Sequence, residues 1–492
     1  MKHFFLFISL LIFSCSTQVE SPTVIKNFSE LATAEEVVEF AKVASQHTDK
    51  LDLEIFGSTS EDRDLVLIRS KLKQSNNPLR VLVFAQQHGN EPSGKEASLL
   101  LIRDLASNQH SDWLRDMEIV IIPQLNPDGG NLDKRRNGQE IDLNRDHVVL
   151  QASETRAIHK VFKDFMPHVT IDIHEYYPYS KSWDEFGAFK NFDVQVGVPT
   201  NINVSQEIRN FGLLKALPYI ETSLLKNEYT FHHYIVGPAP NLGRTRHSTV
   251  DIDDGRQSFA ILGTLSFIFE GINGRTGVLD SIEHRTYGQY EALKALLHFV
   301  HQNASEIKTI VDDARNKLRS SKPGEVVAIR LEHFPSGNPL TLPLVSSTTG
   351  NDTVVIVENY HPIVKSTLNA TKPKAYLIPT NDALLVNFLN LHGVKYENFE
   401  VQDAKVITRY FVESIAISED EELENRLPTV IKQKIINEEL NDLYLWVPTG
   451  QLHSNFLVTL FEPQSMLGLA QRIGYEYLLQ ERDFFSILRV EE

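Results

Sequence analysis

Apolar and polar positions along the first 320 residues follow a pattern of short strands and longer helices. Val81–Ala85 is a short apolar run typical of a buried strand, and Glu118–Pro123 is expected to be a second. Val169–His174, which alternates apolar and polar residues, and Leu265–Glu270 are expected to be a third and a fourth strand. Ser153–Phe165 instead carries apolar residues at helical spacing, which indicates an amphipathic helix. Strands that alternate with helices predict an α/β layer architecture.

The pattern changes near residue 320. Ser281–Leu318 is strongly helical and is expected to close the α/β region, and the run Ser320–Gly324 is typical of a linker. Beyond it the strands are shorter, with a helix expected around Asp382–Leu391. We therefore expect two folded units: a domain over residues 24–320 and a smaller α+β domain over residues 321–492.

Composition narrows the class of protein. The chain has 492 residues, more than one compact core usually organises, which agrees with two units. A hydrophobic content of 41% and a charged content of 23% are ordinary for a soluble globular protein. The formal net charge of −17 argues against a nucleic-acid partner, because such proteins normally present a basic face.

The first 23 residues are expected to be a signal and a tether. A short basic start precedes the apolar run Phe4–Phe13, which is too short for a permanent membrane span and is typical of a secretory signal. The run ends in Ile12–Cys15, which resembles a bacterial lipobox, and the polar stretch Ser16–Thr23 follows. We expect export to the cell envelope, with a lipid on Cys15 as the only membrane attachment. A plain periplasmic or secreted protein with an incidental Cys15 is the alternative.

Two separate segments predict a metal site. The run from His88 to Glu91 stands where the first buried strand turns toward a helix, and a His and a Glu on a tight turn can point at one ion. His174 ends the third strand, where it can meet that turn. Catalytic zinc needs three protein ligands and one open position. Taken singly, the first segment would be a surface turn and the second a structural histidine.

Glu270 ends the fourth apolar strand. A carboxylate in that position is costly unless it has a partner or a task. Taking a proton from water beside a metal ion is such a task, so Glu270 is a candidate general base. A strand-end glutamate that simply reaches solvent is the alternative.

Arginines and amides follow the second buried strand. Asn126–Gly129 is a strong turn former, and Arg135–Asn137 and Asp142–Arg145 come after it. Open α/β sheets bind ligands at the carboxyl edge, and a guanidinium binds a carboxylate bidentately. The run therefore predicts a carboxylate-binding site, with a solvated basic loop as the alternative.

Taken in order, these elements resemble the zinc carboxypeptidase family of the carboxypeptidase A type. The order is H-x-x-E, N-P-D-G, an arginine with D-x-N-R, a strand-end His and a strand-end Glu, over Val24–Gly277. The resemblance implies a mixed, mostly parallel sheet flanked by helices and one Zn²⁺ per chain. Ala375–Pro379, Trp446–Pro448 and Leu460–Pro463 resemble stretches of larger bacterial members that carry an extra C-terminal domain.

The resemblance also implies a role for each candidate residue. These roles are metal ligation by His88, Glu91 and His174, catalysis by the base Glu270 and the carbonyl-polarising Arg135, and binding of the terminal carboxylate by Asn144 and Arg145. Asp142 fits a carboxylate that orients a ligand histidine. The expected reaction is hydrolysis of the C-terminal peptide bond of a peptide with a free carboxylate.

Two departures from the family concern substrate binding. Family members usually have a tyrosine on a mobile loop before the base, whereas Arg246–Val250 contains none; Tyr234 or His247 could take its place. Arg135 and Arg136 are adjacent, and the spacing to the D-x-N-R motif favours Arg135.

The stretch before the base strand gives a hypothesis about specificity. Asp251, Asp253 and Asp254 are expected to be solvated charges of a turn, whereas Arg256 lies nearer the buried strand and is expected to face the substrate cavity. Arg256 in the cavity would favour terminal Asp or Glu, and an inward carboxylate would favour terminal Lys or Arg.

We therefore expect a zinc metallocarboxypeptidase, with two alternatives. A zinc amidase that acts on cell-wall peptides or acylated amino acids would use the same ligands and base. A lipoprotein that keeps the scaffold as a non-catalytic binding module is disfavoured, because loss of activity commonly removes a ligand or the base.

Overall fold

The computed structural model describes residues 19–71, 77–240, 242–400, 406–418, 425–435, 440 and 443–491. The strands up to residue 272 are β1 Leu51–Ser58, β2 Asp64–Ser70, β3 Leu79–Ala85, β4 Met117–Ile122, β5 Val169–Tyr176, β6 Ala188–Phe189, β7 Val194–Gly197, β8 Phe231–His233, β9 Thr245–Arg246 and β10 Leu265–Ile272. The helices up to residue 319 are α1 Pro22–Ile25, α2 Ala34–His47, α3 Ser93–Ala106, α4 Trp113–Asp116, α5 Pro127–Asn131, α6 Ser153–Phe165, α7 Lys181–Phe186, α8 Gln206–Phe211, α9 Leu217–Lys226, α10 Gly255–Ala260, α11 Ile282–Gln302 and α12 Ala304–Arg319. Within these described ranges, no helix combines the length and apolar character needed to cross a membrane.

A central eight-stranded sheet organises the first part of the chain, in the order β1-β2-β4-β3-β5-β10-β7-β8. Its middle strands β4, β3, β5 and β10 run parallel, whereas β1 and β2 pair antiparallel at one side and β7 pairs antiparallel with β10 at the other. Strands β3 and β5 are buried along almost their whole length. Burial follows from the apolar sequence of β3, whereas β5 also buries the polar Asp172 and His174, which are paired with each other. Helix α3 packs against α11 and β5. The predicted mixed, mostly parallel sheet with flanking helices is confirmed.

The helical run predicted over Ser281–Leu318 is two helices, α11 and α12, which meet at Asn303. The backbone of Asn303 leaves the helical conformation, with φ −110° and ψ 19°, and its Nδ2 donates to the carbonyl of Phe299 at 2.8 Å. A side-chain amide that bonds to nearby carbonyls competes with the helix, which explains the break.

The expectation of shorter strands beyond residue 320 is wrong, since strands of 9 to 12 residues occur there and the longest earlier strand has eight; two of the long strands pair antiparallel along their length. Over the described residues, the later part of the chain adds twelve strands and two α-helices. They are β11 Val326–Phe334, β12 Leu340–Ser346, β13 Asp352–Val357, β14 Tyr360–His361, β15 Ile363–Thr371, β16 Ala375–Pro379, α13 Ala383–His392, β17 Glu397–Asn398, β18 Ile407–Ser418, β19 Asn425–Ile435, β20 Tyr444–Pro448, α14 Ser454–Phe461, β21 Asp483–Phe484 and β22 Leu488–Val490. Seven of these strands form a second sheet, β17-β20-β16-β22-β18-β19 with β21 beside β18. Helix α13 ends at Gly393, with φ +69°, at the predicted position.

The two parts of the chain share contacts. Strand β12 pairs with β6, β14 pairs with β9, and one hydrophobic cluster contains residues of both parts, such as Leu262 and Phe388. The division into domains at residue 320 stays a prediction.

The predicted tether Ser16–Thr23 is shorter than expected. Val19, Ser21 and Thr23 are buried, and the Thr23 hydroxyl donates to Glu96 on α3 at 2.6 Å. Residues 19–23 therefore pack against the folded chain, because an apolar side chain and a hydroxyl find partners on α3. Cys15 and the predicted signal lie outside the described residues.

Candidate active site

Three neighbouring strands bring the predicted chemistry to one edge of the central sheet. The His88–Glu91 turn follows β3, His174 lies near the end of β5, and Glu270 lies near the end of β10. Glu270 is directly opposite His174 in the parallel β5–β10 pair. Because these strands are parallel, their carboxyl ends meet at one edge, which is where open α/β sheets place ligands.

His88, Glu91 and His174 form a group of metal-binding atoms that lie within 4.8 Å of one another. His88 Nδ1 is 2.9 Å from Glu91 Oε1, His174 Nδ1 is 2.9 Å from Glu91 Oε2, and the two Nδ1 atoms are 3.1 Å apart. All three side chains are buried. Two imidazoles and one carboxylate are a donor set that catalytic zinc takes, so these residues fit the ion.

Each of the two histidines is oriented by its own carboxylate. His88 Nε2 is 3.0 Å from Asp142 Oδ1, and His174 Nε2 is 2.9 Å from Asp172 Oδ1. In both rings Nε2 is bonded to a carboxylate and Nδ1 points toward Glu91. Carboxylates paired in this way fix the orientation of histidines that bind a metal. Asp172 was not assigned a role from the sequence, although strand alternation places it on the same face of β5 as His174.

The electrostatics of this group favour a positive charge between the donor atoms. Burial alone would lower the pKa of His174, but Asp172 and Glu91 raise it well above its usual value. Burial alone would raise the pKa of Glu91, but His88 and His174 hold it well below its usual range. A cation among these donors is therefore matched by the charges around it.

The N-P-D-G run supports the metal turn. A Cβ on Gly89 would lie 2.1 Å from the carbonyl carbon of Gly129, so position 89 needs glycine at this close approach. Asn126 caps the short helix α5 by accepting from Gly129 N at 2.8 Å, and its Nδ2 donates to the Gln87 carbonyl at 3.0 Å. This supporting role was missed from the sequence, which identifies the turn but not the segment that it contacts.

Glu270 is only 6% exposed. Burial raises the pKa of its carboxyl to about 7, with His174 opposing the shift, Glu91 adding to it and the hydroxyl of Tyr234 opposing it through a hydrogen bond. A buried carboxylate whose pKa is raised toward neutrality beside a metal site has the character of a general base.

Arg135 lies beside the metal-binding group. Its Nε donates to Asp142 Oδ2 at 2.9 Å, and its Nη1 lies 3.2 Å from His88 Nδ1 and 3.6 Å from Glu91 Oε1. Arg136 instead donates to the carbonyl of Glu140 at 2.8 Å and is exposed. Of the two adjacent arginines, Arg135 is the one that reaches the metal-binding group.

A single cavity of about 220 Å³ collects the predicted site residues. All eight of them line it: His88, Glu91, Arg135, Asn144, Arg145, His174, Arg256 and Glu270.

The zinc carboxypeptidase family model matches residues 37–262. The chain carries a zinc carboxypeptidase domain. Carboxypeptidase 2 of Trichophyton tonsurans is 25% identical over 417 residues, which cover 80% of this chain and 73% of that protein. Carboxypeptidase 2 of Trichophyton rubrum is 26% identical over 415 residues, with the same coverage. A solved metallo-carboxypeptidase from Burkholderia cenocepacia has 18% sequence identity and a TM-score of 0.44, covering 56% of this chain and 71% of its own.

The protein is thus a metallocarboxypeptidase, a hydrolase. In its zinc carboxypeptidase domain, Asn144 and Arg145 stand on a 3₁₀ turn, Leu143–Arg145, at the cavity wall. Asn144 Oδ1 accepts from Gly255 N at 2.8 Å and from Gln87 Nε2 at 3.3 Å, so Nδ2 is the group of this side chain left to donate to a ligand. Burial would lower the pKa of Arg145, but nearby carboxylates, Asp251 first among them, raise it. Arg145 therefore stays charged at the wall of the cavity.

Arg256 is fully buried at the first turn of α10 and lines the cavity of the zinc carboxypeptidase domain. Its Nη2 donates to Ser248 Oγ at 2.7 Å and to Asp254 Oδ2 at 3.0 Å. Among the residues that the structure describes, none accepts a hydrogen bond from its Nε or Nη1. A buried guanidinium with two unused donors is costly without an acceptor, so this wall of the cavity suits an anionic group.

The prediction that the three aspartates before Arg256 are solvated is wrong. Asp251, Asp253 and Asp254 are 7%, 3% and 5% exposed. Asp254 caps α10 by accepting from Gln257 N at 2.6 Å, and Asp251 and Asp253 are paired with Arg472 from the later part of the chain. Burial of these carboxylates is possible because each has a cationic or backbone partner, and Arg472 is far away in sequence.

Tyr234 and His247, the two candidates for the missing loop tyrosine, lie in different surroundings. Tyr234 lines the cavity of the zinc carboxypeptidase domain, and burial and then the nearby Glu270 carboxylate raise the pKa of its hydroxyl well above the usual value. His247 Nε2 is paired with the hydroxyl of Tyr360, and His247 lines a neighbouring small cavity instead. Of the two, Tyr234 is the one placed to reach a substrate.

Proposed function

We propose that this protein is a zinc-dependent carboxypeptidase that hydrolyses the C-terminal peptide bond of peptides with a free terminal carboxylate. The observation that carries the proposal is the composition of one cavity. It combines a buried donor set for zinc, a buried carboxyl with a raised pKa, and charged groups that suit a substrate carboxylate.

His88, Glu91 and His174 would hold the zinc ion through Nδ1, a carboxylate oxygen and Nδ1. When bound, zinc supplies Lewis-acid chemistry, because it polarises an oxygen ligand and makes water a stronger acid. Asp142 and Asp172 keep the two imidazoles in the orientation and tautomer that ligation needs.

Glu270 would move the proton. Its carboxylate takes a proton from the attacking water and donates it to the amine that leaves when the carbon–nitrogen bond breaks. Its raised pKa suits both halves of this task near neutral pH, since the group can both accept and release a proton there. Tyr234, which lines the same cavity, is close enough for its hydroxyl to interact with that carboxyl.

Arg135 would stabilise the negative charge that develops on the carbonyl oxygen of the bond being cut. Its guanidinium is held by Asp142 and already lies beside the metal-binding group. A donor fixed before the reaction stabilises the transition state without reorganising during it.

Arg145 and Asn144 would bind the terminal carboxylate, which explains why the cut falls one residue from the end. A guanidinium donates two parallel hydrogen bonds to a carboxylate, and Nδ2 of Asn144 can add a further one, since Asn144 Oδ1 already accepts from Gly255 N. Arg256 would face the side chain of the outgoing residue, and its two unused donors favour a terminal Glu or Asp.

The decisive experiment combines metal analysis with hydrolysis of N-acylated dipeptides by the purified chain. We expect one zinc per chain, activity that a chelator removes and added Zn²⁺ restores, and release of the terminal amino acid. Protein that binds zinc but cleaves none of these peptides would contradict the proposal and favour a binding module.

A zinc amidase would use the same ligands and base. It would differ in the substrate group that lies against Arg145. We expect a C-terminally amidated peptide to be cleaved far more slowly than its free acid. Equal rates for acid and amide would favour the amidase.

The proposed cellular location rests on the sequence alone. We propose export to the cell envelope, with Cys15 as the lipid attachment site. Incorporation of a labelled fatty acid into the expressed chain, and its loss in Cys15→Ala, would support this location; an unlabelled, freely secreted chain would contradict it.

A further inference from the structure

The side of the cavity that carries Arg256 belongs to a single segment, residues 245–256, which we call the pocket segment. It contributes Ser248, Thr249, Asp254 and Arg256 to the cavity lining. Both ends of the pocket segment are held by residues from beyond position 320.

At its later end, the pocket segment is bound by Arg472. Arg472 Nη2 donates to Asp251 Oδ1 at 2.7 Å, and its Nη1 donates to Asp253 Oδ2 at 3.0 Å and to Asp251 Oδ2 at 3.3 Å. The exposed fraction of the side chain is 13% for Arg472, 10% for Asp251 and 4% for Asp253. This is a nearly dry contact of one guanidinium with two carboxylates, of the kind that fixes geometry.

At its earlier end, the pocket segment is joined to strand β14. Thr245 and Arg246 form β9, which pairs in parallel with Tyr360 and His361. The hydroxyl of Tyr360 is bonded to His247 Nε2. Ser248, which follows His247, accepts a hydrogen bond from Arg256.

The Arg472 contact leads directly into the substrate-facing residues. Two positions after Asp251, Asp253 Oδ1 accepts from Val148 N at 2.7 Å, and the next residue, Asp254, accepts from Arg256. Removing the guanidinium would leave two buried carboxylates without their cationic partner, which is strongly unfavourable. The turn would then open toward water, and the contacts of Asp254 with Arg256 would move with it.

We propose that the chain beyond residue 320 holds the pocket segment in place, and that Arg472 is a positioning residue for the subsite of the outgoing side chain. The inference deepens the proposed function and rests on it, because that subsite is taken to bind a substrate. Arg472 touches no reacting atom in this proposal; it acts through Asp251 and Asp253.

The test compares Arg472→Met and Arg472→Lys with a matched control, Arg489→Met. Arg489 is another arginine of the later part of the chain with little exposure, 2% of its side chain against 13% for Arg472, and its side chain bonds to Glu462, Glu491 and Thr371 rather than to the pocket segment. Two quantities are measured on the full chain: kcat/KM for acylated dipeptides ending in Glu, Leu and Lys, and amide hydrogen exchange over residues 245–256 without substrate.

For Arg472→Met we expect the ratio of kcat/KM between the best and worst terminal residue to shrink about tenfold or more, the size of effect seen when contacting residues are uncoupled. Exchange over the pocket segment should quicken by about tenfold or more as its local opening becomes easier. Arg472→Lys should fall between it and the wild type. Arg489→Met should lower the melting temperature and leave both quantities unchanged.

An Arg472→Met chain that folds and keeps both the ratio and the exchange of the wild type would overturn the proposal. If that variant does not fold, Arg472→Lys decides by the same two quantities. Wild-type protein that cleaves none of the peptides would refute the proposed function instead, and the exchange measurement would still decide whether Arg472 holds the pocket segment.

Discussion

Replacing Arg256 tests which terminal side chain the cavity accepts. In Arg256→Met the guanidinium, with its unpaired Nε and Nη1, is removed from a residue that lines the cavity, while an apolar side chain of comparable length fills much of the space. A peptide ending in Glu should then lose at least one charge-assisted hydrogen bond. A peptide ending in Leu has no acceptor there to lose.

The size of the effect follows from that single bond. A hydrogen bond to a charged group contributes about 1.5–3 kcal/mol, which corresponds to a loss of about 10- to 150-fold in kcat/KM for the Glu peptide. For the Leu peptide we expect kcat/KM to change by less than about threefold, because its terminal side chain has no acceptor for a hydrogen bond from Arg256. The assay measures kcat/KM for acylated dipeptides that differ only in the terminal residue.

The control is Arg136→Met, which removes the same charge from an exposed arginine outside the cavity lining. It should leave the Glu-to-Leu ratio unchanged, so that a general loss of positive charge can be recognised. Equal losses for Glu and Leu in Arg256→Met, or a wild-type preference for Lys, would refute the reasoning about this wall of the cavity.

Three further changes test the metal site, the base and the buried histidines. Glu270→Gln should keep its zinc and lower kcat by about 10²- to 10⁴-fold; near-normal turnover would remove Glu270 from the mechanism. Asp172→Asn should weaken zinc affinity by about 10- to 100-fold, measured by competition with a chelator, and unchanged affinity would show that Asp172 does not support His174. Burial lowers the pKa of His147 to about 4 and of His392 to about 3, so below about pH 6.5 the unfolded chain binds more protons. The free energy of unfolding should therefore fall by up to about 1.4 kcal/mol per pH unit for each histidine as the pH drops from about 6.5 toward 4. In urea unfolding, His392→Gln should make this fall less steep, and an unchanged slope would contradict the assignment.

Local pattern was sufficient to predict the scaffold of the site. Strands β3, β5 and β10 are each two residues longer than predicted from the sequence, and they were recognisable because buried strands are rich in apolar residues. Once those strands are parallel neighbours, residues at their carboxyl ends have to meet. His174 and Glu270 could therefore be placed at one edge from the sequence alone.

What the sequence could not determine was the partner of each charged group. The turn that ends in Asp253, Asp254 and Gly255 led to the prediction that Asp251 and Asp253 are solvated, whereas the fold brings Arg472 to both. The tertiary structure alone also decides the close approach of Gly89 to Gly129. Whether a charge is buried depends on desolvation and on the nearest opposite charge in space, and both quantities exist only once distant segments have been brought together by the tertiary structure.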